Sequence, residues 1–129
     1  MKRYCLALDL KDDPQLIREY EDYHKAAWPE VISSILDAGV IKLEIYRVSN
    51  RLFMIIEAAE NFSLERKIQM DAANEKLQEW EVLMWKYQQA LPVARSGEKW
   101  ILMEKIFTVS SPPTSSSTQT YYPATAPPP

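Results

Sequence analysis

Two apolar runs joined by three residues constrain the fold of this chain more than any other feature. The runs 41–48 and 52–58 have the length and composition of β-strands. Their connection, Ser49-Asn50-Arg51, has the length of a tight hairpin turn. The sequence therefore predicts two neighbouring antiparallel strands in the middle of the chain.

The segment before the hairpin predicts one strand and one interrupted helix. Apolar residues occupy alternate positions of 4–10, which is the period of a strand packed on one face. Asp13 followed by a proline is typical of a helix start. Pro29 cannot take part in the backbone hydrogen bonding of a helix, so we expect a break near Trp28. Gly39 is expected to end the second half as a left-handed cap.

The segment after the hairpin predicts a second interrupted helix and a last strand. Residues 63–73 and 75–91 have helical character, and Pro92 is expected to end the second of these segments. A strand is predicted over 100–108. The elements then follow the order β-α-β-β-α-β, which predicts a ferredoxin-like α+β fold, an antiparallel sheet with helices on one face.

Two further expectations concern the sheet surface and the end of the chain. The strand 52–58 is apolar on both faces in places, with Phe53 and Ile55 on one of them. A homodimer that buries the second face of the sheet would cover these side chains. The folded domain is predicted over 1–109, and 110–129, rich in Ser, Thr and Pro and without charge, is predicted to be a disordered tail.

Composition argues against several classes of function. The net charge of −3 disfavours nucleic acid and anionic membranes as partners. No apolar run approaches the roughly 18 residues of a membrane span, and the first strand leaves no room for a signal peptide. One histidine, one cysteine and two glycines disfavour a zinc site and a nucleotide-binding loop, so we expect neither metal nor cofactor. The lone cysteine fits a cytoplasmic location.

The only histidine, His24, lies four residues after Tyr20 and four before Trp28. A spacing of four places side chains on one face of a helix. Imidazole exchanges protons near neutral pH, and a phenol and an indole beside it could hold a sugar-like molecule. The simpler interpretation is a packed or surface histidine among ordinary core aromatics, and the spacing alone does not decide between the two.

Two tryptophans on the predicted long helix are further candidates. Trp80 and Trp85 lie five residues apart and therefore point to different faces of the helix. One can belong to the core while the other lines a pocket, and the sequence leaves open which.

These residues resemble the L-rhamnose mutarotase family over 3–107. The resemblance rests on four segments, namely Tyr20-x-x-x-His24-x-x-x-Trp28-Pro29-Glu30, Glu44-Ile45-Tyr46, Asn50-Arg51-Leu52-Phe53 and the helix around Trp80. Members of the family are small dimeric enzymes of the α/β-barrel type that interconvert sugar anomers. The resemblance implies that fold, a homodimer, and a 6-deoxy-L-hexopyranose such as L-rhamnose or L-fucose as substrate.

The resemblance also implies roles for individual residues. The catalytic histidine of the family, regarded as the proton donor, corresponds to His24, and its substrate-holding tyrosine corresponds to Tyr20. The first of two adjacent tryptophans that pack on the sugar corresponds to Trp80, while Glu81 replaces the second. Another tyrosine that contacts the substrate corresponds to Leu43. These two departures concern sugar contacts and leave open which sugar is bound.

Anomer exchange of a pyranose requires two proton transfers and rotation of the aldehyde group of the open chain. The C1 hydroxyl loses a proton, the ring oxygen gains one, and the open aldehyde rotates before the ring closes. His24 as an imidazolium would protonate the ring oxygen and recover the proton on closure. Trp28 and Trp80 would offer flat apolar faces to the sugar ring, and Tyr20 would orient a hydroxyl. The acceptor of the C1 proton is left open between water and a carboxylate such as Glu81.

Two other functions remain open at this point. A cofactor-free monooxygenase of the dimeric α/β-barrel superfamily would share the topology, and likeness of fold alone is a weak argument for function. A non-catalytic binding module would use the same aromatic residues as a recognition patch. Oxygen consumption with a phenolic substrate would favour the first, and tight binding without turnover would favour the second.

Overall fold

The computed structural model describes residues 1–112 of the chain. In chain order the elements are β1 (Lys2–Leu10), α1 (Pro14–Lys25), α2 (Pro29–Asp37), β2 (Val40–Val48), β3 (Arg51–Ala58), α3 (Leu64–Ala72), α4 (Glu75–Trp85), β4 (Gln88–Gln89) and β5 (Ile101–Leu102). Within this part of the chain, no helix combines the length and the apolar character needed to cross a bilayer.

The strands form one antiparallel sheet in the order β2-β3-β1-β4. β1 pairs with β3 from Lys2 to Asp9, and its other edge is shared by β4, opposite Asp9 and Leu10, and by β5, opposite Leu6 and Ala7. This strand order is that of a ferredoxin-like sheet, so the predicted α+β fold is confirmed. Within residues 1–112 of a single chain, the sheet is open and does not close on itself.

The ends of the helices follow from local side-chain chemistry. The side chains of Asp13, Ser63 and Asn74 cap α1, α3 and α4 by accepting a hydrogen bond from the backbone N–H three residues later. Pro29 is the first residue of α2, and a short non-helical segment separates it from α1, so the predicted break is confirmed. Gly39 has a φ of +101°, the left-handed conformation predicted for it.

The last helix is shorter than its sequence pattern predicts. α4 ends at Trp85 rather than at residue 91, and β4 begins three residues later. Residues 87–89 form backbone hydrogen bonds with the free edge of the sheet instead of continuing the helix. The N–H of Lys11 donates to the carbonyl of Tyr87 at 2.8 Å, and the next two residues pair with β1. Backbone hydrogen bonds to the sheet edge therefore override the local helical preference.

The last strand is also shorter than predicted. β5 covers Ile101–Leu102 instead of 100–108, and the N–H of Met103 adds one hydrogen bond to the carbonyl of Cys5 at 2.7 Å. Residues 104–112 have no regular secondary structure, and the side chains they expose include Phe107 at 79%. The predicted tail 110–129 lies, from residue 113 onward, outside the described residues.

The helices bury one face of the sheet in two apolar clusters. The first cluster joins Leu10 and Leu52 of the sheet to Tyr20, Trp80 and Tyr87. The second lies toward the other end of the sheet and consists of Leu6, Ala38, Val40, Met54, Ile56, Ala58 and Phe62. The first cluster brings together α1, α4 and the residue just before β4, and it contains the candidate site.

The opposite face of the sheet is uncovered in a single chain and has an apolar centre. Phe53 and Ile55 on this face are half-buried, while Tyr46 and Val48 of the edge strand are 54% and 72% exposed. Tyr46 lies directly opposite Phe53 in the strand register. The face thus has an apolar centre bordered by charged side chains, with the ion pair of Arg51 and Asp9 toward one end and that of Arg3 and Glu57 toward the other.

Removal of the α1 cap is expected to destabilise the fold measurably. Asp13 Oδ1 accepts from the N–H of Leu16 at 3.0 Å, and loss of such a cap typically costs about 1 kcal/mol. We expect Asp13→Ala to lower the free energy of unfolding by that amount in urea titrations. The exposed neighbour Asp12 is the control, since Asp12→Ala should change it by less than about 0.5 kcal/mol. Equal effects of the two substitutions would contradict the capping role.

Candidate active site

Six aromatic side chains from α1, α4 and the segments next to them form the aromatic cluster, namely Tyr20, Tyr23, His24, Trp28, Trp80 and Tyr87. The ring of His24 lies between two others, with ring centroids 4.3 Å from Tyr20 and 5.5 Å from Trp80. Trp80 in turn contacts Trp28 at 5.2 Å. The structure therefore brings together four of the predicted site residues, which are Tyr20, His24, Trp28 and Trp80.

His24 is half-buried, and one of its ring nitrogens is already occupied. Nδ1 lies 2.9 Å from the backbone carbonyl oxygen of Tyr20. A carbonyl can only accept, so Nδ1 carries the proton and Nε2 is the nitrogen available to a substrate. Burial lowers the pKa of His24, and the hydrogen bond to Tyr20 opposes this shift without reversing it. At neutral pH the ring is therefore an uncharged imidazole with a basic Nε2.

Tyr20 is almost fully buried and remains a phenol. Burial raises its pKa to about 12, a hydrogen bond from the Gln88 side chain opposes the rise, and the charge of Glu81 adds to it. A phenol with this pKa stays protonated at any physiological pH. It can donate a hydrogen bond but does not serve as a base.

The two tryptophans of the cluster differ in exposure. Trp80 is buried, whereas Trp28, placed by the break between α1 and α2, is half-buried and has the ammonium of Lys76 at 5.7 Å from its ring. Their planes are inclined at 69°. Trp80 is thus the inner wall of the cluster, and Trp28 forms its border toward solvent.

Glu81 is tied to a lysine from a distant part of the chain. Lys99 Nζ donates to Glu81 Oε2 at 2.5 Å and to the Glu81 carbonyl at 3.1 Å, and it lies 4.8 Å from the ring of Trp85. The Lys99 side chain is only 11% exposed. Burial lowers the pKa of Lys99, and the bond to Glu81 opposes this. The carboxylate is therefore engaged in an ion pair.

Leu43, the remaining predicted site residue, lies away from the aromatic cluster. It lies on β2 opposite Ile56 and packs against the second core cluster. Its neighbour Ile45, two residues along the same face, contacts both clusters.

Sequence reasoning missed three residues of the site, namely Tyr87, Gln88 and Lys99. The first two were assigned to a helix that ends earlier, so their approach to Tyr20 was hidden. Tyr87 is buried, and its hydroxyl donates to Glu19 Oε1 at 3.1 Å. Lys99 precedes β5, and no local pattern links it to Glu81, which lies 18 residues earlier.

A cavity of about 450 Å³ borders the aromatic cluster. It is lined by Glu19, Asp22, Tyr23, Ala26, Trp28, Lys86 and Tyr87. Small-molecule sites in proteins commonly have volumes of about 300–1,000 Å³. His24, Tyr20 and Trp80 do not line it, but Tyr23 and Trp28, which do, both contact Trp80.

A second cavity, of about 460 Å³, lies between α3 and α4 and is lined by Ala72, Ala73, Glu75, Gln78, Glu79 and Val82. None of the predicted site residues belongs to it. Within residues 1–112, the structure groups no three His, Cys, Asp or Glu side chains as metal ligands.

Comparison with known proteins identifies the family. A family model described as L-rhamnose mutarotase matches residues 3–109. The chain belongs to the L-rhamnose mutarotase family. It is also 43% identical over 112 residues to an L-fucose mutarotase from Xanthomonas campestris pv. campestris, a match that covers 85% of this chain and 90% of the relative. The predicted family and the predicted class of enzyme, a carbohydrate isomerase, are confirmed.

Two solved structures are similar in fold. An L-rhamnose mutarotase from Formosa agariphila matches with a TM-score of 0.63 and 21% identity, covering 85% of this chain and all of that one. Tetracenomycin F2 cyclase from Streptomyces glaucescens, a type-II polyketide cyclase, matches with a TM-score of 0.62 and 17% identity. The match covers 87% of this chain and 100% of the cyclase chain. Since identities this low show the fold alone, the second match says nothing about the reaction.

The titration of His24 provides a direct check on its environment. Because it is the only histidine, its ring resonances in ¹⁵N-resolved NMR belong to one residue. We expect protonation with a pKa below the ordinary 6.5, and a neutral form that carries its proton on Nδ1. The urea-unfolded chain is the control and should titrate near 6.5.

The same shift predicts how stability depends on pH. Below pH 6.5 the unfolded chain binds a proton that the folded chain resists, so the free energy of unfolding should decrease between pH 6.5 and the lower folded pKa. A folded pKa above that of the unfolded chain would contradict this description of the site.

Proposed function

We propose that this chain interconverts the α and β anomers of a 6-deoxy-L-hexopyranose, with His24 as the residue that carries the proton. L-Fucose is the first sugar to test, followed by L-rhamnose. The observation that carries the proposal is the 43% identity, over most of both chains, to a protein described as an L-fucose mutarotase. The contact of His24 with Tyr20 and Trp80 supports the choice of residues.

The proton balance of the reaction suits one uncharged imidazole. In the ring-opening step the C1 hydroxyl gives its proton to His24 Nε2, the bond between C1 and the ring oxygen breaks, and C1 becomes an aldehyde. The imidazolium then donates this proton to the ring oxygen, which becomes a hydroxyl. Rotation about the C1–C2 bond and reversal of these steps give the other anomer, so no proton is gained or lost overall.

The lowered pKa of His24 favours this order of steps over one that begins with an imidazolium. The ring is neutral at physiological pH and therefore ready to accept the C1 proton. Once protonated in a half-buried position it is a stronger acid than a histidine in water, which promotes donation to the ring oxygen. Acid–base catalysis of this kind typically contributes about 10²–10⁴ in rate, enough for a reaction that also proceeds unaided.

The other residues bind and orient the sugar. Trp28 and Trp80 present apolar faces on which the C–H side of the sugar ring can pack. Tyr20, held protonated by burial, donates to a sugar oxygen. The ion pair with Lys99 leaves Glu81 poorly suited to accept the C1 proton, so we assign Glu81 to the wall of the site.

The alternative functions receive no support from the comparisons. The cofactor-free monooxygenase and the non-catalytic module rest on the shared fold and the aromatic patch alone. Membership in a family of carbohydrate isomerases favours the anomerase over both. We also propose a cytoplasmic location, which the lone cysteine supports.

We further propose that two chains associate through the uncovered face of the sheet. The apolar side chains of this face, with Phe53 and Ile55 at its centre, would be removed from water in a homodimer. Burial of an apolar sheet face against a second copy gives the double layer typical of stable domains.

Replacement of His24 tests the proposed reaction. We expect His24→Asn to reduce the enzymatic rate of anomer exchange about 10²- to 10⁴-fold, because asparagine cannot carry the proton. The rate is measured by saturation transfer between the anomeric ¹H NMR signals of L-fucose and L-rhamnose. The unfolding transition should be retained. Wild-type exchange by this variant would rule out His24 as the proton carrier.

Two variants on the same helix calibrate that result. Tyr20→Phe should lower the rate by a smaller factor, because it removes one hydrogen bond and keeps the ring. Lys25→Ala, which changes an exposed neighbour, should leave the rate unchanged. An unchanged rate in Tyr20→Phe would mean that Tyr20 serves packing alone.

A charge on the uncovered face of the sheet tests the dimer. We expect the unaltered chain to sediment with twice the mass of one chain and Phe53→Arg to sediment as a monomer, since the residues opposite Phe53, Tyr46 and Ala7, offer a buried arginine no carboxylate. Val82→Arg is the matched control, because Val82 is 72% exposed on α4, away from the sheet face. A monomeric unaltered chain, or dissociation by both variants alike, would contradict the proposed interface.

A further inference from the structure

Strand β4 places an amide side chain in the core beside the aromatic cluster. Gln88 pairs with Leu10 of β1 and is 4% exposed, whereas the next residue, Gln89, is exposed. Tyr20 and Tyr87, with ring centroids 6.3 Å apart, belong to the same buried cluster as Leu10. A long polar side chain thus lies where apolar side chains otherwise fill the space between α1 and the sheet.

The carbonyl oxygen of this amide, Gln88 Oε1, has no hydrogen-bond partner among residues 1–112. Buried polar atoms in native proteins are hydrogen-bonded in the large majority of cases, and an unpaired one lowers stability. An ordered water or a bound molecule can supply the missing donor.

Other polar groups approach the same place. Burial raises the pKa of Tyr20, and the hydrogen bond from the Gln88 amide to the phenol opposes this rise. A phenol carries one O–H donor besides its acceptor sites, so Tyr20 can also donate a hydrogen bond. Glu81, held by Lys99, is close enough for its charge to act on the same phenol. The side chains of Tyr20 on α1 and Gln88 on β4 are therefore neighbours.

We propose that Gln88 is a specificity-determining residue whose Oε1 accepts a hydrogen bond from one ring hydroxyl of the bound sugar. The proposal rests on the proposed anomerase function. A hydroxyl both donates and accepts, so Oε1 of Gln88 and the O–H of Tyr20 form a complementary pair for it. A sugar without that hydroxyl would leave Oε1 unpaired, and sites built on such a hydrogen bond discriminate strongly against the deoxy analogue.

A series of deoxy sugars combined with one substitution tests this assignment. The parent is L-fucose or L-rhamnose, whichever the unaltered chain exchanges faster, and three analogues lack the hydroxyl on C2, C3 or C4. We expect Gln88→Met to lower kcat/KM for the parent and for two analogues by about tenfold or more. For the third analogue, which lacks the hydroxyl that Gln88 binds, the variant and the unaltered chain should have the same kcat/KM.

Stability measurements distinguish this role from a structural one. Since Oε1 is unpaired without substrate, Gln88→Met should unfold at the same temperature as the unaltered chain or higher. Gln89→Met, on the exposed side of β4, should leave every rate unchanged. If Gln88→Met does not fold, Gln88→Leu replaces it, and the same pattern of losses across the parent and the three analogues is expected.

Three results would overturn the proposal. Equal losses for the parent and all three analogues would mean that Gln88 acts through Tyr20 or through packing. No loss for any sugar would mean that a buried water satisfies Oε1. Failure of the unaltered chain to exchange any of the sugars would overturn the anomerase function and this assignment together. Measuring the parent sugar first distinguishes that result from a failure of the Gln88 assignment alone.

Discussion

Backbone hydrogen bonding along both edges of β1 fixes the elements that carry the candidate active site. One edge is fully paired with β3, and β4 and β5 divide the other. The chain leaves β1 through a short turn whose last residue, Asp13, caps α1. The bond from Lys11 to Tyr87 holds the end of α4 against the same point. The helix that carries His24 and the strand that carries Gln88 are therefore positioned by neighbouring residues of one strand.

Burial within the first core cluster determines the chemistry of the site. Trp80 contacts Tyr23, His24 and Trp28, so its indole is the centre of the aromatic cluster. The same exclusion of water lowers the pKa of His24 and raises that of Tyr20. The two shifts have opposite signs because burial disfavours the charged form of each group, a cation in one case and an anion in the other.

The sequence predicted most of the fold because its signals were local. The hairpin at Ser49–Arg51, the cap at Asp13, the break at Pro29 and the left-handed Gly39 each depend on a few adjacent residues. The predicted ends of the last helix and the last strand were wrong at 86–91 and 103–108. In the first segment, hydrogen bonds to β1 replace the helix, and in the second, strand pairing with β1 stops. Competition between a helix and a distant sheet edge cannot be read from periodicity.

Half of the site was predictable for the same reason. Tyr20 and His24 lie on α1, and their spacing of four residues predicted their contact. Trp28 lies beyond the end of that helix and joins the cluster through Trp80, which the family resemblance added. Gln88 and Lys99 reach the site only through tertiary structure, one by strand pairing and the other by an ion pair across 18 residues. A buried glutamine in a segment with helical pattern carries no local signal of such a role.

The ion pair between Lys99 and Glu81 has a consequence for the kind of molecule this protein can accept. With His24 uncharged, Tyr20 protonated and the carboxylate neutralised by its lysine, the inner side of the cluster carries no net charge. A phosphate ester or a sugar acid would have to leave its hydration shell there without meeting an unpaired cation. For the proposed anomerase, this lack of net charge favours free neutral monosaccharides over their phosphorylated and oxidised derivatives, before any hydroxyl is recognised.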